Sequence, residues 1–494
     1  MNYHLFNAFS FLEHRFGLDV NPVGLQSSFN PLLDLPYYFL SVHVFPEQPR
    51  LVAFLAGLPT GALIYLTVLL CQELAPLLPG GGRMGVAFAA VLGLSGTMLY
   101  SEVGTTFGDI PLTLLTLGGL ICPLRSLRGS RTPGRWGRAC MVAGVCLGAA
   151  AGLKPTMVIY APALFIALAV TGDRGERWIG ALCVALGWAL GFALVYGWWG
   201  LRLEAAYGNP MFPLFNRLFR SDWVPPLPYT DDRFLPRGLA QALFYPFYWL
   251  KGRAFVASET GVRDPHFAFA YVTLAGLGAA ALWGRIIGRP HAVLGHPQVR
   301  LVITFFLAGF MLWEALFSIL RYAIPLEVLT GPIIGIGMTA ALHALPAGCL
   351  PRRRLPILLL LVLAVTIGWA NRPGWGRLKQ FGTSVFAFAP PPVEDDAVIV
   401  LADKPLGFIA PFFTARGVVF VGLQDLPPPG FRLYEAAKAR IAEPRPAYAL
   451  TVTELAAHRE ALAAFGLKGV DASCQAVVNP FLRDVQLCRL DRAP

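Results

Sequence analysis

The chain has 494 residues, of which 55% are hydrophobic and 14% are charged, with a net charge of +11 and a mean hydropathy of +0.57. Soluble domains carry roughly one quarter of charged residues, so this composition excludes an ordinary water-soluble protein and predicts a polytopic α-helical membrane protein. The positive charge does not indicate nucleic acid, because the arginines lie between apolar segments, where membrane topology favours them.

Residues 1–50 precede the first long apolar segment and are too polar to cross a bilayer. They also lack the apolar run and the small-residue cleavage site of a signal peptide. Within them, the aromatic stretch 35–45 is too short to span a membrane and suits its interface. Because the orientation derived below places this part outside the cell interior, we expect either that a first helix is missing before Met1, which we favour, or that residues 1–50 are the remnant of a larger external loop.

Ten apolar segments follow, and each predicts a membrane-spanning helix. In the bilayer interior every backbone N–H and C=O must be paired within its own segment, which a helix achieves. Together the segments predict a transmembrane domain over residues 51–371. They lie near residues 51–71, 84–101, 110–124, 139–153, 156–171, 178–199, 266–286, 301–320, 323–345 and 355–371.

Basic residues predict the orientation of these spans. The connectors 125–138, 285–300 and 351–356 carry five, three and three arginines. The positive-inside rule places all three in the cytoplasm. The ten spans then alternate without conflict, and the extracytoplasmic side receives four connectors and both ends of the chain, namely 1–50, 101–109, 153–155, 200–265, 320–323 and 372–494.

The long external loop 200–265 holds two distinctive stretches. Residues 207–226 are rich in aromatic residues and proline. The run 238–252 is apolar on most sides at helical period and predicts one helix lying in the membrane interface. The loop is either a packed lid without chemistry or a platform over a groove for a lipid-linked substrate.

From about residue 372 the composition changes to that of a small α/β domain. The runs 397–402, 417–422 and 448–452 predict buried strands, and 435–443 and 452–466 predict helices, which together indicate a partly parallel sheet. No glycine-rich phosphate loop follows the first strand, so no nucleotide site is predicted. Cys474 and Cys488 bracket a strand-turn-strand pattern, and an oxidising extracytoplasmic compartment would let them form a disulfide.

Polar residues gather at the predicted outer ends of the spans. Glu102 and Asp109 flank the stretch GTTFG, Lys154 stands between two spans, and Arg321 and Tyr322 open the ninth span. A charge at membrane depth costs about 2.5–3.5 kcal/mol, so each needs a partner or a cavity. Any single one could be structural, as in a simple Lys154–Asp109 ion pair, but their clustering on one face favours a site.

Three parts of the chain, taken in order and by predicted side, carry a resemblance to a known family. They are NYHLFNAFSFLEHRFGLDVNPVGLQSSFNPLLDLPYY, SEVGTTFGD with the later GLKPT, and YGNPMFPLFN with the later RYAIPLE. They resemble the C-type (GT-C fold) integral-membrane glycosyltransferases of bacteria over about residues 1–370, and the tail resembles the soluble outer domain of some members. The resemblance implies that a sugar passes from a polyprenyl-phosphate donor to a glycan, lipid or protein acceptor at the periplasmic face of the bacterial inner membrane.

Members of this family use an acidic residue in the first external loop, close to the end of the first helix, and this chain begins after that point. The candidates for the base that accepts the proton of the acceptor are therefore Asp19 or Asp34, with Asp109 as the weaker alternative. Lys154 and Arg321 are candidates for binding the phosphate leaving group, because cations stabilise its charge. The remaining predicted substrate-binding residues are His4 and Glu102, which could bind sugar hydroxyls, and Tyr322.

Two other classes of function stay open. A transporter of lipid-linked sugars would use intramembrane charges equally well, although no internal repeat is visible between the halves of the chain. A catalytically inactive homologue would fit the early start of the chain. No cofactor is predicted with certainty; a divalent ion could bind near the acids, although no spacing of ligands indicates one.

Overall fold

The computed structural model of the protein describes residues 2–129, 132–229, 231–288, 292–344, 352–377, 380–482 and 484–492. The chain divides into two compact units. The first, here called the sheet unit, combines Met1–Ala56, Gly197–Tyr229 and Gly376–Pro494. The second, the helical unit, combines Gly57–Tyr196 and Thr230–Trp375.

The helical unit is built from the predicted apolar segments, each of which is helical over most of its length. Its first helix begins in the sheet unit, and the 3-10 turns Pro155–Ile159 and Leu320–Ala323 precede two of the others. The helices are Pro49–Glu73, Arg83–Leu94, Thr97–Glu102, Asp109–Ser126, Pro133–Leu153, Tyr160–Thr171, Arg174–Phe192, Leu239–Leu243, Tyr245–Tyr248, Pro265–Ile286, Ala292–Gly295, Pro297–Leu316, Ile324–Ala344 and Leu355–Trp369.

Among the described residues, six helical segments are long and apolar enough to cross a membrane. They are Pro49–Glu73, Pro133–Leu153, Gly175–Tyr207, Pro265–Ile286, Pro297–Leu316 and Leu320–Ala344. The protein is therefore a multi-pass membrane protein, as its composition predicts. The number of ten spans stays a prediction. The orientation of the spans stays a prediction as well. Residues 130–131, 289–291 and 351 of the three arginine-bearing connectors lie outside the described residues.

Small residues let two of these helices approach closely. Pro133–Leu153 and Arg174–Phe192 each present two glycines four residues apart, and these glycines face the other helix. A Cβ atom added at Gly148 would lie 2.1 Å from the carbonyl oxygen of Trp188, and one at Gly191 would lie 2.2 Å from that of Val145. Only glycine allows this separation, which is how helices pack tightly where lipid provides no hydrophobic driving force.

The apolar run 238–252 is not the single helix that its pattern predicts. It is divided into Leu239–Leu243, Tyr245–Tyr248 and a 3-10 turn at Trp249–Lys251. Pro246 explains the break, because it has no backbone N–H to bond the carbonyl four residues earlier and its ring crowds that turn. The single-helix prediction was therefore wrong at this point.

The sheet unit contains a mixed sheet, which confirms the predicted α/β tail. The strands of the unit are β1 (Pro22–Leu25), β2 (Val398–Leu401), β3 (Val419–Gly422), β4 (Ala447–Thr451), β5 (Leu467–Gly469), β6 (Gln475–Ala476) and β7 (Gln486–Arg492), and β2 to β7 form the sheet. The order is β3-β2-β4-β7-β5, with β2 parallel to β3 and β4, and with β7 antiparallel to β4, β5 and β6. The α-helices are Asn2–Leu12, Leu35–Tyr38, Trp198–Tyr207, Asn216–Phe219, Arg432–Ala442 and Arg459–Ala463.

In the tail, the predicted disulfide is confirmed, whereas one predicted helix differs from the helix observed. The disulfide Cys474–Cys488 is present, with an S–S distance of 2.03 Å, which confirms the prediction. The helix predicted over 452–466 is shorter and begins with a 3-10 turn at Leu455–His458. At this point the carboxylate of Asp403 binds the backbone N–H groups of residues 452 and 453 and the His458 ring, which holds the chain out of α-helical geometry.

The start of the chain packs into the core of this unit. Leu5 and Phe6 on the first helix are buried in one cluster with Ile399 and Phe420 of the sheet. Val20 continues the sheet beside β3: its N–H donates to the carbonyl of Phe420, and its own carbonyl accepts from the N–H of Gly422, each at 2.9 Å. Residues 2–25 and the tail therefore share one apolar core and one set of backbone hydrogen bonds.

Candidate functional site

Several polar residues that the sequence predicts for the site surround one ion pair in the helical unit. Asp109 is the first residue of the helix Asp109–Ser126, where a carboxylate is favoured by the helix dipole. Lys154 follows the helix Pro133–Leu153 and donates to Oδ1 of Asp109 at 2.5 Å. The side chains are 1% and 12% exposed. Two helix ends far apart in the chain thus bring one acid and one base together in a buried place.

Lys154 and Asp109 both retain unused hydrogen-bonding capacity. Besides Asp109, Nζ of Lys154 donates only to the carbonyl of Phe107, at 3.2 Å, within the described part of the chain. An ammonium has three N–H groups, so one lacks a protein acceptor there. Oδ2 of Asp109 is buried and has no hydrogen-bond partner among the same residues. The pair is therefore able to bind a further polar group.

Arg321 is a second cation beside this pair, and it shares the Tyr322 ring with Lys154. Its guanidinium carbon lies 4.9 Å from the ring centroid of Phe107 and 5.0 Å from that of Tyr322, and Nζ of Lys154 lies 4.9 Å from the Tyr322 centroid. The Arg321 guanidinium also donates to the Tyr322 hydroxyl at 3.2 Å and lies 3.7 Å from a carboxylate oxygen of Glu259. Aromatic faces stabilise cations, so this arrangement holds two positive charges close together.

The positive charge extends to the edge of this cluster. A side-chain hydrogen bond from Arg233 lowers the pKa of Asp231 below its usual value, and the charge of Arg321 lowers it further. The guanidinium of Arg233 donates to both carboxylate oxygens of Asp231, at 2.6 and 2.7 Å. The charge of Arg321 therefore acts on Asp231 as well as on Glu259.

Aromatic and hydroxyl contacts hold the stretch from Glu102 to Asp109 in place. Nε1 of Trp375 donates to Oγ of Ser101 at 3.0 Å, and the Trp375 ring meets that of Phe107 edge to face at 5.1 Å. Glu102 is 2% exposed and its carbonyl accepts from the N–H of Thr105. The Tyr160 hydroxyl fixes the other side by donating to the carbonyl of Tyr322 at 2.7 Å.

A second polar network lies deeper in the helical unit, and the sequence did not indicate it as a unit. The carboxylate of Glu327 accepts from the N–H groups of residues 98 and 99, at 3.0 and 2.8 Å, and so caps the helix Thr97–Glu102. Asp264 accepts from Nδ1 of His266 at 2.6 Å, and Nε2 of that ring lies 2.9 Å from Oγ of Ser95. The sequence signals were Glu327 within the ninth predicted span and an Asp two residues before a His at the start of an apolar segment.

The predicted residues of the first loop lie in the sheet unit and form two separate pairs. Nδ1 of His4 lies 2.7 Å from Oδ1 of Asp34, and both side chains are buried. The two oxygens of Asp19 accept from the Arg15 guanidinium at 2.6 and 2.7 Å, and one of them also accepts from the N–H of Phe420 at 2.9 Å. Burial raises the pKa of Asp19 although Arg15 opposes the rise. Asp19 thus joins the start of the chain to β3.

The structure therefore brings Asp109, Lys154, Arg321 and Tyr322 into one cluster, here called the Lys154 cluster, with Glu102 in the adjoining turn. It pairs His4 with Asp34 and places Asp19 in an ion pair of its own. No group of three or more His, Cys, Asp or Glu side chains arranged for a metal ion occurs among the described residues.

Comparison with known proteins identifies the fold of this chain. No protein-family model matches the chain, and no curated protein matches it by sequence. Two solved structures of ArnT from Cupriavidus metallidurans are similar to the chain in their three-dimensional structure. The one bound to undecaprenyl phosphate is 15% identical with a TM-score of 0.54, and the apo one is 14% identical with a TM-score of 0.51. Each match covers 99% of this chain and 92% of the other. The chain thus has the fold of ArnT, which confirms the GT-C fold predicted from the sequence.

Proposed function

We propose that the protein is a membrane glycosyltransferase that moves a sugar from a polyprenyl-phosphate donor to an acceptor at the extracytoplasmic face of the bacterial inner membrane. One observation carries the proposal: Lys154 and Arg321 are held against one tyrosine ring beside Asp109, in the fold of a protein whose crystal structure contains undecaprenyl phosphate. Such a lipid phosphate is the kind of anion that two partly buried cations bind.

The reaction would form one bond and break another at the anomeric carbon of the sugar. The oxygen of the acceptor hydroxyl bonds to that carbon, and the bond from the carbon to the phosphate oxygen breaks. Its electron pair leaves with the polyprenyl phosphate, so negative charge grows on the phosphate in the transition state. The guanidinium of Arg321 and the N–H of Lys154 that has no acceptor among the described residues would stabilise this charge.

The proton of the acceptor hydroxyl must pass to a base. Of the three predicted carboxylates, Asp19 already accepts from the Arg15 guanidinium and from the N–H of Phe420, and Asp109 is held in an ion pair with Lys154. Asp34 is paired with a histidine ring, and an Asp–His pair can accept a proton while the carboxylate orients the ring. On the chemistry of this pair alone, Asp34 with His4 is the preferred candidate for the base that the sequence predicts.

Asp109 takes a different part in this proposal. Its carboxylate holds Lys154 against Tyr322, and its second oxygen is left for a hydroxyl of the sugar. This assignment follows from the free hydrogen-bonding capacity of the pair and needs no metal ion.

The test is a transfer assay with the purified full chain in nanodiscs and a polyprenyl-phosphate sugar labelled in the sugar. Label that moves to an acceptor, with release of free polyprenyl phosphate, supports the proposal. Transport of intact donor across a liposome bilayer without cleavage would indicate a transporter instead. Donor that binds but is neither cleaved nor moved would indicate an inactive homologue.

A further inference from the structure

A short turn in the sheet unit exposes three large apolar side chains within five residues of the chain. Phe215 is 60% exposed, Leu218 is 74% exposed and Phe219 is 38% exposed. The turn carries the helix Asn216–Phe219 and is here called the apolar tip, residues 215–220. Single exposed apolar residues are common, but three large ones within five residues form a patch that needs a partner.

The apolar tip is built rigidly by two buried asparagines. Nδ2 of Asn216 donates to the carbonyls of Ser221 and Val224, at 3.0 and 2.7 Å, and Oδ1 of Asn216 accepts from the N–H of Ser221 at 2.9 Å. Nδ2 of Asn209 donates to the carbonyl of Leu214 at 3.0 Å. Both asparagine side chains have no exposed surface. The motif YGNPMFPLFN therefore folds as a closed turn that fixes where its apolar residues point.

Aromatic packing supports the base of this turn. The rings of Tyr207 and Phe212 are stacked at 4.2 Å, and the Trp223 ring meets Tyr207 edge to face at 4.9 Å. Tyr207 is also the last residue of the membrane-span candidate Gly175–Tyr207. The apolar tip thus begins eight residues after the end of a helical segment that is long and apolar enough to cross a membrane.

The charges on the apolar tip have a single sign. Arg217 and Arg220 are exposed, and neither has a carboxylate within 4.0 Å among the residues that the structure describes. The next acid along the chain, Asp222, is directed to Arg432 at 3.7 Å. Apolar side chains flanked by arginines are the composition that inserts into the headgroup region of an anionic bilayer, with the guanidinium groups on lipid phosphates.

We propose that the apolar tip inserts into the lipid surface and binds anionic phospholipid headgroups through Arg217 and Arg220. Continuity with the span ending at Tyr207 and the uncompensated positive charge favour lipid over a protein partner. The inference is independent of sugar transfer, since it rests on residues outside the Lys154 cluster.

The test places the photo-reactive residue p-benzoylphenylalanine at Leu218 in the full chain, reconstituted in nanodiscs of phosphatidylcholine and phosphatidylglycerol. The same residue at Val478, which is 64% exposed on the sheet unit, is the matched control. Mass spectrometry then measures lipid adducts after irradiation. We expect at least about tenfold more lipid adduct at position 218, because only the apolar tip reaches the acyl boundary. Equal lipid labelling at the two positions, or labelling of a protein instead of lipid, overturns the proposal.

The choice of lipid is tested by a second variant. In Arg217→Gln/Arg220→Gln, each lost charge lowers attraction to an anionic surface by about fivefold. The ratio of phosphatidylglycerol to phosphatidylcholine adducts at position 218 should therefore fall in this variant while total lipid labelling persists. An unchanged ratio would contradict the role of the arginines. A melting curve like that of the parent shows that the variant has folded, because both arginine side chains are exposed.

Discussion

Lys154 donates a hydrogen bond of 2.5 Å to the buried carboxylate of Asp109 and keeps one N–H without a protein acceptor among the described residues. A lysine used only to neutralise a buried acid would have no need of the Tyr322 ring, 4.9 Å away, or of Arg321 on the same ring. The relationship therefore combines two roles. The carboxylate fixes the position of the ammonium, and the ammonium remains able to bind an anion.

Removal of Lys154 should abolish sugar transfer. The variant Lys154→Met loses a donor to the leaving phosphate, so we expect kcat/KM to fall by about 10²–10³-fold. It also leaves Asp109 buried without a counter-charge, which should lower the melting temperature. The double variant Lys154→Met/Asp109→Asn should recover the melting temperature but not the activity. Lys251→Met, on an exposed residue, serves as control. Recovery of both properties in the double variant would show that Lys154 is only structural.

Replacement of Arg321 by lysine should weaken donor binding although the charge is retained. Lysine cannot stack a planar guanidinium on the Phe107 and Tyr322 rings or donate in the same geometry. We expect the KM for the donor to rise by about tenfold, in line with the loss of a cation–π contact and a charge-assisted hydrogen bond. Steady-state kinetics with Arg285→Lys as the matched control measures this. An unchanged KM would exclude contact between Arg321 and the donor.

Asp34 and Asp19 should respond differently to the same substitution. Asp34→Asn removes the carboxylate that orients His4, and we expect kcat to fall by about 10²–10⁴-fold with little change in donor affinity. Asp19→Asn breaks the ion pair with Arg15 that joins the start of the chain to β3, and should lower the melting temperature while kcat is retained in the folded fraction. Kinetics and thermal melts of both variants decide between these roles. A loss of kcat in Asp19→Asn alone would reverse the assignment.

The disulfide Cys474–Cys488 should stabilise the sheet unit. It closes a loop with a sequence separation of 14, and a bridge of this loop length contributes about 3 kcal/mol to the free energy of unfolding. The variant Cys474→Ser/Cys488→Ser should therefore unfold at lower denaturant concentration. Reducing agent should shift the unfolding midpoint of the parent in the same direction and leave that of the variant unchanged. A shift in the variant as well would show that the reducing agent acts on the protein by a route other than this disulfide.

Asp403 should make the sheet unit sensitive to acid. Burial alone would raise the pKa of this carboxyl, but hydrogen bonds from Thr451 and from the N–H of Val452, together with His458, lower it below its usual value. A carboxyl whose pKa is lower in the folded state stabilises that state at neutral pH, and this contribution disappears as the pH falls below about 4. Asp403→Asn should therefore be less stable than the parent at pH 7 and approach it at low pH. Denaturation between pH 3 and 7 measures this, with Asp491→Asn, on an exposed residue of β7, as control. A stability difference that does not change with pH would contradict the assignment.

Local sequence was enough to predict the helical membrane domain, the strands of the tail and the disulfide. Each follows from local chemistry: an apolar segment in lipid must pair its own backbone groups, and short buried β-branched runs form strands. Pro246 shows the limit of a periodicity argument, since one residue divided a helix that the surrounding apolar pattern predicted.

The meeting of the polar residues, in contrast, depends on the three-dimensional packing of the helices. Lys154, Arg321 and Phe107 come from three different connectors, and no spacing along the chain encodes the helix packing that joins them. The same holds for Glu327, which caps a helix more than two hundred residues earlier, and for Val20, which adds to the sheet beside β3. Sequence patterns report the pairing of a segment with its neighbours along the chain, whereas these contacts depend on close packing between distant segments.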